Sequence, residues 1–445
     1  MRVVLVSTYE LGHQPFGLSS PKAWLVRDGH DVVSVDLAVA TLDSAEPAIL
    51  AADLVAFYLP MHTATRLAIP VIERVKHLNR RARLACYGLY APLNRELLRG
   101  LGVETTIGPE FEPALVQLAN GQPSLEQGIP RLTFLTPDRS GLPDLSAYSH
   151  LTQNDVKIAA GYTEASRGCK HMCRHCPVVP VYQGQFRVVQ RDVVLADVRQ
   201  QVAAGARHIT FGDPDFFNGP THAMRIVEDF HAEFPDISYD ATIKIEHLKQ
   251  HRELLPRLKE TGCLFVTSAV ESVDDSVLAR LEKGHTRQDF FDVAGWMREA
   301  GLALQPTFIA FTPWTTLESY GALLSALAAL ELMENIAPVQ LALRLLVTQN
   351  SRLLELPELL AVVGEFDEKA LAYPWKHPDP EMDALASCLF QTVSRRQDQN
   401  KSRTEIFGEI WELVLRTPAP AFPQQLPAPH LDEPWYCCAE PAPQV

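Results

Sequence analysis

The segment Ser166-Arg-Gly-Cys169-Lys-His-Met-Cys173-Arg-His-Cys176-Pro places three thiols at Cys-x3-Cys-x2-Cys spacing. Three thiolates on one short loop can hold three irons of a [4Fe–4S] cluster and leave the fourth iron open. Zinc is the alternative for the same residues, but it normally takes four ligands, so His171 or His175 would have to complete the set. A second thiol group closes the sequence, in Trp435-Tyr-Cys437-Cys438-Ala-Glu-Pro441. Adjacent thiols chelate soft ions such as As(III) or Hg(II), cycle redox equivalents or deliver a thiol-bound substrate. A vicinal disulfide is another state open to them, and two incidental thiols in an irregular end are the bland reading. Cys86, Cys263 and Cys388 sit in apolar patterns and read as core thiols. Eight cysteines in 445 residues do not make a disulfide framework.

The elements that must position these thiols follow from hydrophobic rhythm. Over residues 1–120, short apolar runs at Val3–Val6, Val32–Val35, Leu54–Phe57, Leu84–Tyr87 and Val103–Thr105 predict strands. The intervening stretches 18–28, 63–79, 92–100 and 110–119 predict helices. Continuous Val/Leu runs suit parallel strands covered on both faces, so this is an α/β, doubly wound (Rossmann-like) domain. Residues 121–158, rich in Pro and Gly, read as a linker. A second alternation predicts strands at Tyr162–Ser166, His208–Phe211, Ser238–Ile243, Leu264–Ala269, Ala303–Ile309 and Val339–Leu345. Six such units over 159–350 predict a partial (β/α)6 barrel. Residues 351–416 read as a helical C-terminal region, and 417–445, with eight prolines, as an extended tail.

The cysteine loop at the end of a first barrel strand resembles the hallmark of radical SAM enzymes. In that family the open iron chelates the methionyl amine and carboxylate of S-adenosylmethionine, and electron transfer into the sulfonium breaks a C–S bond. The resemblance implies Cys169, Cys173 and Cys176 as cluster ligands. It implies Gly212 and Asp213, after the second strand, near the methionyl amine, and Ser268 and Glu271, after the fourth, near the ribose and carboxylate. Lys244 and Arg344, near the ends of the third and sixth strands, are further cofactor-binding candidates, since charged side chains at carboxyl ends of barrel strands read as functional. Lys283-Gly-His285-Thr286 reads as a helix C-cap turn.

A doubly wound domain ahead of such a barrel is similar to the cobalamin-binding (B12-binding) half of cobalamin-dependent relatives. Its predicted rim includes Thr8, His62, Gly88 and Glu110, where Gly88 would permit close backbone approach. The cobalamin motif Asp-x-His-x-x-Gly is absent: no Asp lies two residues before His13, and Gly17 comes one residue late. The whole chain also resembles a small radical SAM group named for a Cys-Cys-Ala-Glu-Pro or selenocysteine-containing tail, which makes Cys437 and Cys438 candidate catalytic residues.

The expected activity is therefore methyl or other alkyl transfer to a small molecule, using a [4Fe–4S] cluster, S-adenosylmethionine and cobalamin, with flavodoxin or ferredoxin as electron donor. One variant transfers the aminocarboxypropyl group to a soft element such as trivalent arsenic on the Cys437–Cys438 pair. A reading from another class is a non-catalytic metal- or metalloid-binding thiolate protein. Forty Lys and Arg against 54 Asp and Glu, a net charge of −14, argue against a dedicated nucleic-acid binder. The longest apolar run, 322–330, is interrupted by Ser325, far short of a membrane span. With an N-terminal apolar stretch too short for a signal-peptide core, a cytoplasmic location is expected.

Overall fold

The computed structural model describes residues 1–122, 128–422 and 427–433, and the backbone of 439–440. Cys437 and Cys438 lie outside the described residues. The first sheet is built from β1 (Arg2–Ser7), β2 (Asp31–Asp36), β3 (Leu54–Tyr58), β4 (Arg83–Tyr87) and β5 (Thr105–Ile107). All pairings are parallel, in the order β2-β1-β3-β4-β5. β3 is buried at every position, as its uninterrupted Leu-Val-Ala-Phe-Tyr run requires. This strand order reverses between β1 and β3, and ligands bind such sheets at the carboxyl ends flanking that point. Two details differ from the sequence expectation. The helix Leu42–Leu50 was not legible, because Pro47 interrupts its pattern. The last strand begins at Thr105, since Val103 N–H is used to close the preceding helix on Leu98.

The expected linker is part of the fold. Its end forms β6 (His150–Gln153), which pairs antiparallel with β7 (Val156–Thr163). Its Arg139 is buried against Asp197 (2.7 Å) and also donates to Gln14 Oε1 and to the Tyr162 carbonyl, bridging both sheets.

The chain continues through β8 (Ser166–Gly168) and β9 (Phe186–Val188), a separate antiparallel pair. It then runs through β10 (His208–Phe211), β11 (Ser238–Thr242), β12 (Cys263–Glu271), β13 (Ala303–Phe308) and β14 (Arg344–Leu345), to β15 (His430–Leu431) and β16 (Ala439–Glu440). The second sheet has the order β13-β12-β11-β10-β7-β6-β15; β7 and β10 to β13 run parallel as a partial barrel. The expected first barrel strand breaks at Thr163. The Asp213 carboxylate takes the Ala165 N–H (3.0 Å) and the Ser166 hydroxyl, which turns the chain out into β8. The expected sixth strand is mostly a 3-10 turn, Pro338–Leu341. Pro338 lacks an N–H, and the Gln340 side chain accepts the Phe308 N–H in place of a ladder bond. Only Arg344–Leu345 is extended, bridged to Phe311 and paired with Ala439–Glu440. The C-terminal region has two long helices, Pro380–Asp398 and Arg403–Leu415, after an irregular stretch over 361–379.

Candidate active site

The carboxyl ends of both sheets open onto one cavity, and Cys169, Cys173 and Cys176 line it together. The loop carrying them is pinned by its backbone. Gly168 adopts φ +77°, and a Cβ there would meet the Tyr182 ring at 2.4 Å, so glycine is required. Cys169 N–H donates to Gln185 O, and Asn218 clamps the turn from both sides, accepting from Lys170 N–H and donating to Gly168 O, each at 3.1 Å. Arg174 N–H donates to Leu281 O, and Arg352 donates to Met172 O at 2.6 Å. The thiols of Cys169 and Cys173 are buried, and burial pushes Cys169 up to about 12. His175 Nε2 lies 3.1 Å from the Glu271 carboxylate, and His171 Nε2 lies 3.1 Å from His247 Nε2. Each histidine thus has one ring nitrogen engaged away from the cysteines, while His175 Nδ1 is buried with no hydrogen-bond partner among the described residues.

The barrel side of the cavity is charged. Glu271 ends β12 at φ +68°, a strained conformation for a non-glycine residue, beside a register shift after Ala269. Burial alone would raise its carboxyl, but Lys283 Nζ at 3.3 Å and the His175 hydrogen bond outweigh it and hold Glu271 at about 2. Lys283, read from sequence as a C-cap turn, is thus the counter-ion of the site. Lys244 lines the same wall, 3.3 Å from Glu246. Gly212 and Asp213 also line the cavity. A Cβ on Gly212 would collide with the Tyr162 ring, so glycine lets Tyr162 lie over that strand end. Burial raises Asp213 to about 7, although its two hydrogen bonds to Ser166 and Ala165 oppose this. Its carboxylate positions the start of the cysteine loop.

The wall from the first sheet is more apolar, with Leu11, Tyr58, Pro60, Met61, Leu89 and Pro109. Gly88 sits there at φ +106°, where a Cβ would stand 3.0 Å from the Leu59 carbonyl. Glu10 faces the cavity as a buried carboxyl whose Oε2 has no hydrogen-bond partner among the described residues. Burial, and then the nearby Glu164, push it well above the ordinary carboxylate range. His13 stacks on Tyr162 at 4.6 Å, and burial lowers it to about 4. Sequence reasoning met Glu10 only within the Ser7–Glu10 strand end and His13 only in an incomplete cobalamin motif.

Five expected positions lie off the cavity wall. Ser268 alternates with Thr267 and Ala269, which line the cavity, so its hydroxyl is buried on the opposite face. Arg344 points away: it pairs with Asp383 at 2.7 Å and lies over the Trp375 ring at 4.0 Å. Thr8 donates to Ala64 O (2.7 Å), fixing the helix His62–Leu78. His62 meets Ala370 O at 2.7 Å and is held at about 4, chiefly by burial. Glu110 is next to the site rather than on its wall: it accepts from Tyr182 (2.9 Å) and faces Arg167 at 3.6 Å, and burial raises it to about 7.

Arg167, two residues before the first cysteine of the loop, is the residue around which the two sheets join. Its guanidinium is buried between Glu112 and Glu164, each at 2.7 Å, and lies over the rings of Phe16, Phe111 and Phe134.

Residues 163–314 match the family model described as the Radical SAM superfamily. The chain is 28% identical over 192 residues to a tRNA-2-methylthio-N(6)-dimethylallyladenosine synthase of Desulfosudis oleivorans, covering 41% of this chain and 39% of that protein. It is 25% identical over 196 residues to a ribosomal protein uS12 methylthiotransferase RimO of Syntrophotalea carbinolica, covering 42% and 43%. These matches thus span about two fifths of the length of those curated relatives. In fold the chain is similar to the cobalamin-dependent S-adenosylmethionine radical enzyme OxsB with aqua-cobalamin bound, with a TM-score of 0.66 at 13% identity, over 88% of this chain and 66% of that one. It is also similar to the radical S-adenosylmethionine methyltransferase TsrM from Kitasatospora setae, with a TM-score of 0.58 at 17% identity, over 74% and 72%.

Proposed function

We propose that this is a radical SAM enzyme that transfers a methyl or other alkyl group to a small molecule. Cys169, Cys173 and Cys176 would carry a [4Fe–4S] cluster, S-adenosylmethionine would lie beside it on the barrel rim, and cobalamin would lie against the first sheet. The observation that carries the reading is that the three cysteines face one cavity shared by the carboxyl ends of both sheets. The residues fit these groups. The cysteine loop is set by hydrogen bonds to its backbone from four other segments, and three thiols of one loop line the cavity together. On the barrel wall, Lys244 presents an ammonium suited to a carboxylate, and ionised Glu271 an acceptor suited to hydroxyls or an amine. On the other wall, the apolar rim and the bare Gly88 leave room for a broad, flat ligand. When bound, the cluster supplies one electron to the sulfonium and cobalamin supplies a carrier for the alkyl group.

The chain's own residues hold and orient. Lys283 and His175 keep Glu271 charged and immobile, so it meets the nucleoside end of the ligand without reorganisation. Asp213 holds the root of the cysteine loop. Glu10, neutral-biased by burial, donates or accepts a hydrogen bond toward whatever occupies the first-sheet side. Support comes from neighbours of the same fold, named as a methyltransferase and a cobalamin-dependent radical enzyme. Flavodoxin or ferredoxin is the proposed electron source.

A second reading, aminocarboxypropyl transfer to a soft element such as trivalent arsenic on Cys437–Cys438, is favoured by the chain on either side of that pair. Glu433 lines the cavity and accepts from Tyr9, while Ala439 pairs with Leu345. The resemblance of the tail to the Cys-Cys-Ala-Glu-Pro group belongs to this reading.

The test is anaerobic incubation of cluster-loaded protein with S-adenosylmethionine and dithionite, with and without hydroxocobalamin, read by mass spectrometry. 5′-Deoxyadenosine together with S-adenosylhomocysteine, only when cobalamin is present, supports methyl transfer. Methylthioadenosine moves the aminocarboxypropyl reading forward. Intact S-adenosylmethionine over a full cluster, with arsenite or a thiol acceptor added as well, counts against both.

A further inference from the structure

Behind the cysteine loop, on the far side of Lys244 and Glu246, two imidazoles and a carboxylate converge. His171 comes from the middle of the cysteine loop, Asp215 from the turn after β10, and His247 from the helix Ile245–Gln250. Asp215 and His247 are fully buried and the His171 side chain is 15% exposed, so the group is enclosed but reachable. One nitrogen or oxygen of each lies within 4.8 Å of the others, and no cysteine belongs to the group.

The three side chains are closely spaced, and His247 meets its two neighbours through different ring nitrogens. His171 Nε2 is 3.1 Å from His247 Nε2 and 3.6 Å from Asp215 Oδ2, and His247 Nδ1 is 2.7 Å from Asp215 Oδ2. Adjacent ligands around an ion bound at about 2.0–2.2 Å stand roughly 3 Å apart. The Asp215–His247 contact is close, yet its atoms are not aligned as donor and acceptor. Asp215 Oδ2 and His247 Nδ1 are both buried with no hydrogen-bond partner among the described residues. The two atoms face each other at 2.7 Å without a hydrogen bond, and a cation shared between them would satisfy both.

The surroundings complete the pattern. Glu246 Oε2 lies 3.4 Å from His171 Nδ1, so the second ring nitrogen faces a carboxylate and Nε2 is left to the group; metal-bound histidines are commonly oriented in this way. Asp215 Oδ1 accepts the Phe217 N–H, which aims Oδ2 inward. We propose that His171, Asp215 and His247 form a second metal site, for a divalent first-row ion of the Zn²⁺ or Fe²⁺ class. Two imidazoles and one carboxylate suit such ions and leave positions for water. The ion ties the midpoint of the cysteine loop to the ends of two barrel elements, so the loop is held whether or not its thiols are occupied. The proposal does not depend on which group the enzyme transfers.

The test uses full-length, cluster-loaded protein equilibrated anaerobically with Zn²⁺ and washed with a weak chelator. Metal analysis should find about one zinc per chain beside the cluster iron. Zinc-edge X-ray absorption, which does not see the iron, should show a shell of nitrogen and oxygen at about 2.0–2.1 Å and no sulfur shell near 2.3 Å. His247→Ala should remove the zinc and keep the cluster iron. Asp215→Asn, which preserves volume and the turn at Phe217, should weaken zinc retention at least tenfold. Absence of zinc in the unsubstituted protein overturns the site. So does a sulfur shell, which would put the ion on thiolates, or equal zinc retention in both variants.

Discussion

Two carboxylic acids face the same cavity from opposite walls, and they are prepared in opposite ways. Glu271, on the barrel, is held near 2 because Lys283 and His175 converge on it. Glu10, on the first sheet, is pushed well above its ordinary value because burial is opposed by too little positive charge. Residue type is equal; what differs is what each element brings beside it. The turn after the helix Asp275–Arg280 delivers an ammonium to one wall, whereas the loop after β1 delivers Leu11 and His13, and the end of β3 delivers Tyr58, to the other. The barrel wall is thus built for a charged, polar ligand and the first-sheet wall for a large ligand of low charge density.

The strongest way to test this division is to remove the thiols. Cys169→Ala, Cys173→Ala or Cys176→Ala should each abolish the broad iron–sulfur absorbance and S-adenosylmethionine cleavage, and leave retention of cobalamin by the first-sheet wall measurable by equilibrium dialysis. Next comes Glu271→Gln, which strands Lys283 and His175. We expect a loss of about 3–5 kcal/mol in denaturant unfolding at pH 7, and weaker S-adenosylmethionine binding by calorimetry.

The pH dependence should separate two neighbours on the barrel rim. Glu271, lowered from 4.5 to about 2, contributes stability that is complete above pH 4.5 and is lost as pH falls toward 2. Asp213, raised from 3.8 to about 7, acts with the opposite sign: its contribution is complete below pH 3.8 and is lost as pH rises to 7. Asp213→Asn should therefore flatten the stability profile between pH 4 and 7, by about 3 kcal/mol end to end. An unchanged slope would show that the carboxyl is not protonated in the folded protein.

Smaller effects should come from the other wall and from outside the cavity. Glu10→Gln removes a buried, poorly paired acid, so the protein should gain about 1 kcal/mol at pH 8 in the same unfolding measurement and keep its cluster iron. Arg344→Ala should cost about 1 kcal/mol through the lost Trp375 and Asp383 contacts, with S-adenosylmethionine affinity unchanged by calorimetry.

The β/α rhythm was legible where buried parallel strands are nearly continuous apolar runs, as in β1 and β3. The cysteines were legible because their chemistry is local and their spacing is short. Residues whose role depends on a distant partner were not. Lys283 and His175 acquire meaning only when the end of β12 brings Glu271 to them. Ser268 was misplaced by side-chain parity: one step along a strand moves a side chain to the other face, and only Thr267, Ala269 and Glu271 share the cavity. β6 was hidden because a Pro/Gly-rich approach masked a four-residue strand whose partners are the strand just after it and the remote β15.

The guanidinium of Arg167 also bears on how such a protein can be inherited. It lies in the segment that launches the cysteine loop, but Glu110, Glu112, Phe16 and Phe111, which enclose it, all come from the first half of the chain. A barrel expressed from residue 128 onward would leave a positive charge in an apolar hollow with only Glu164 to answer it. The halves are therefore not interchangeable modules. A lineage that lost the first sheet would lose the anchor of the cysteine loop with it.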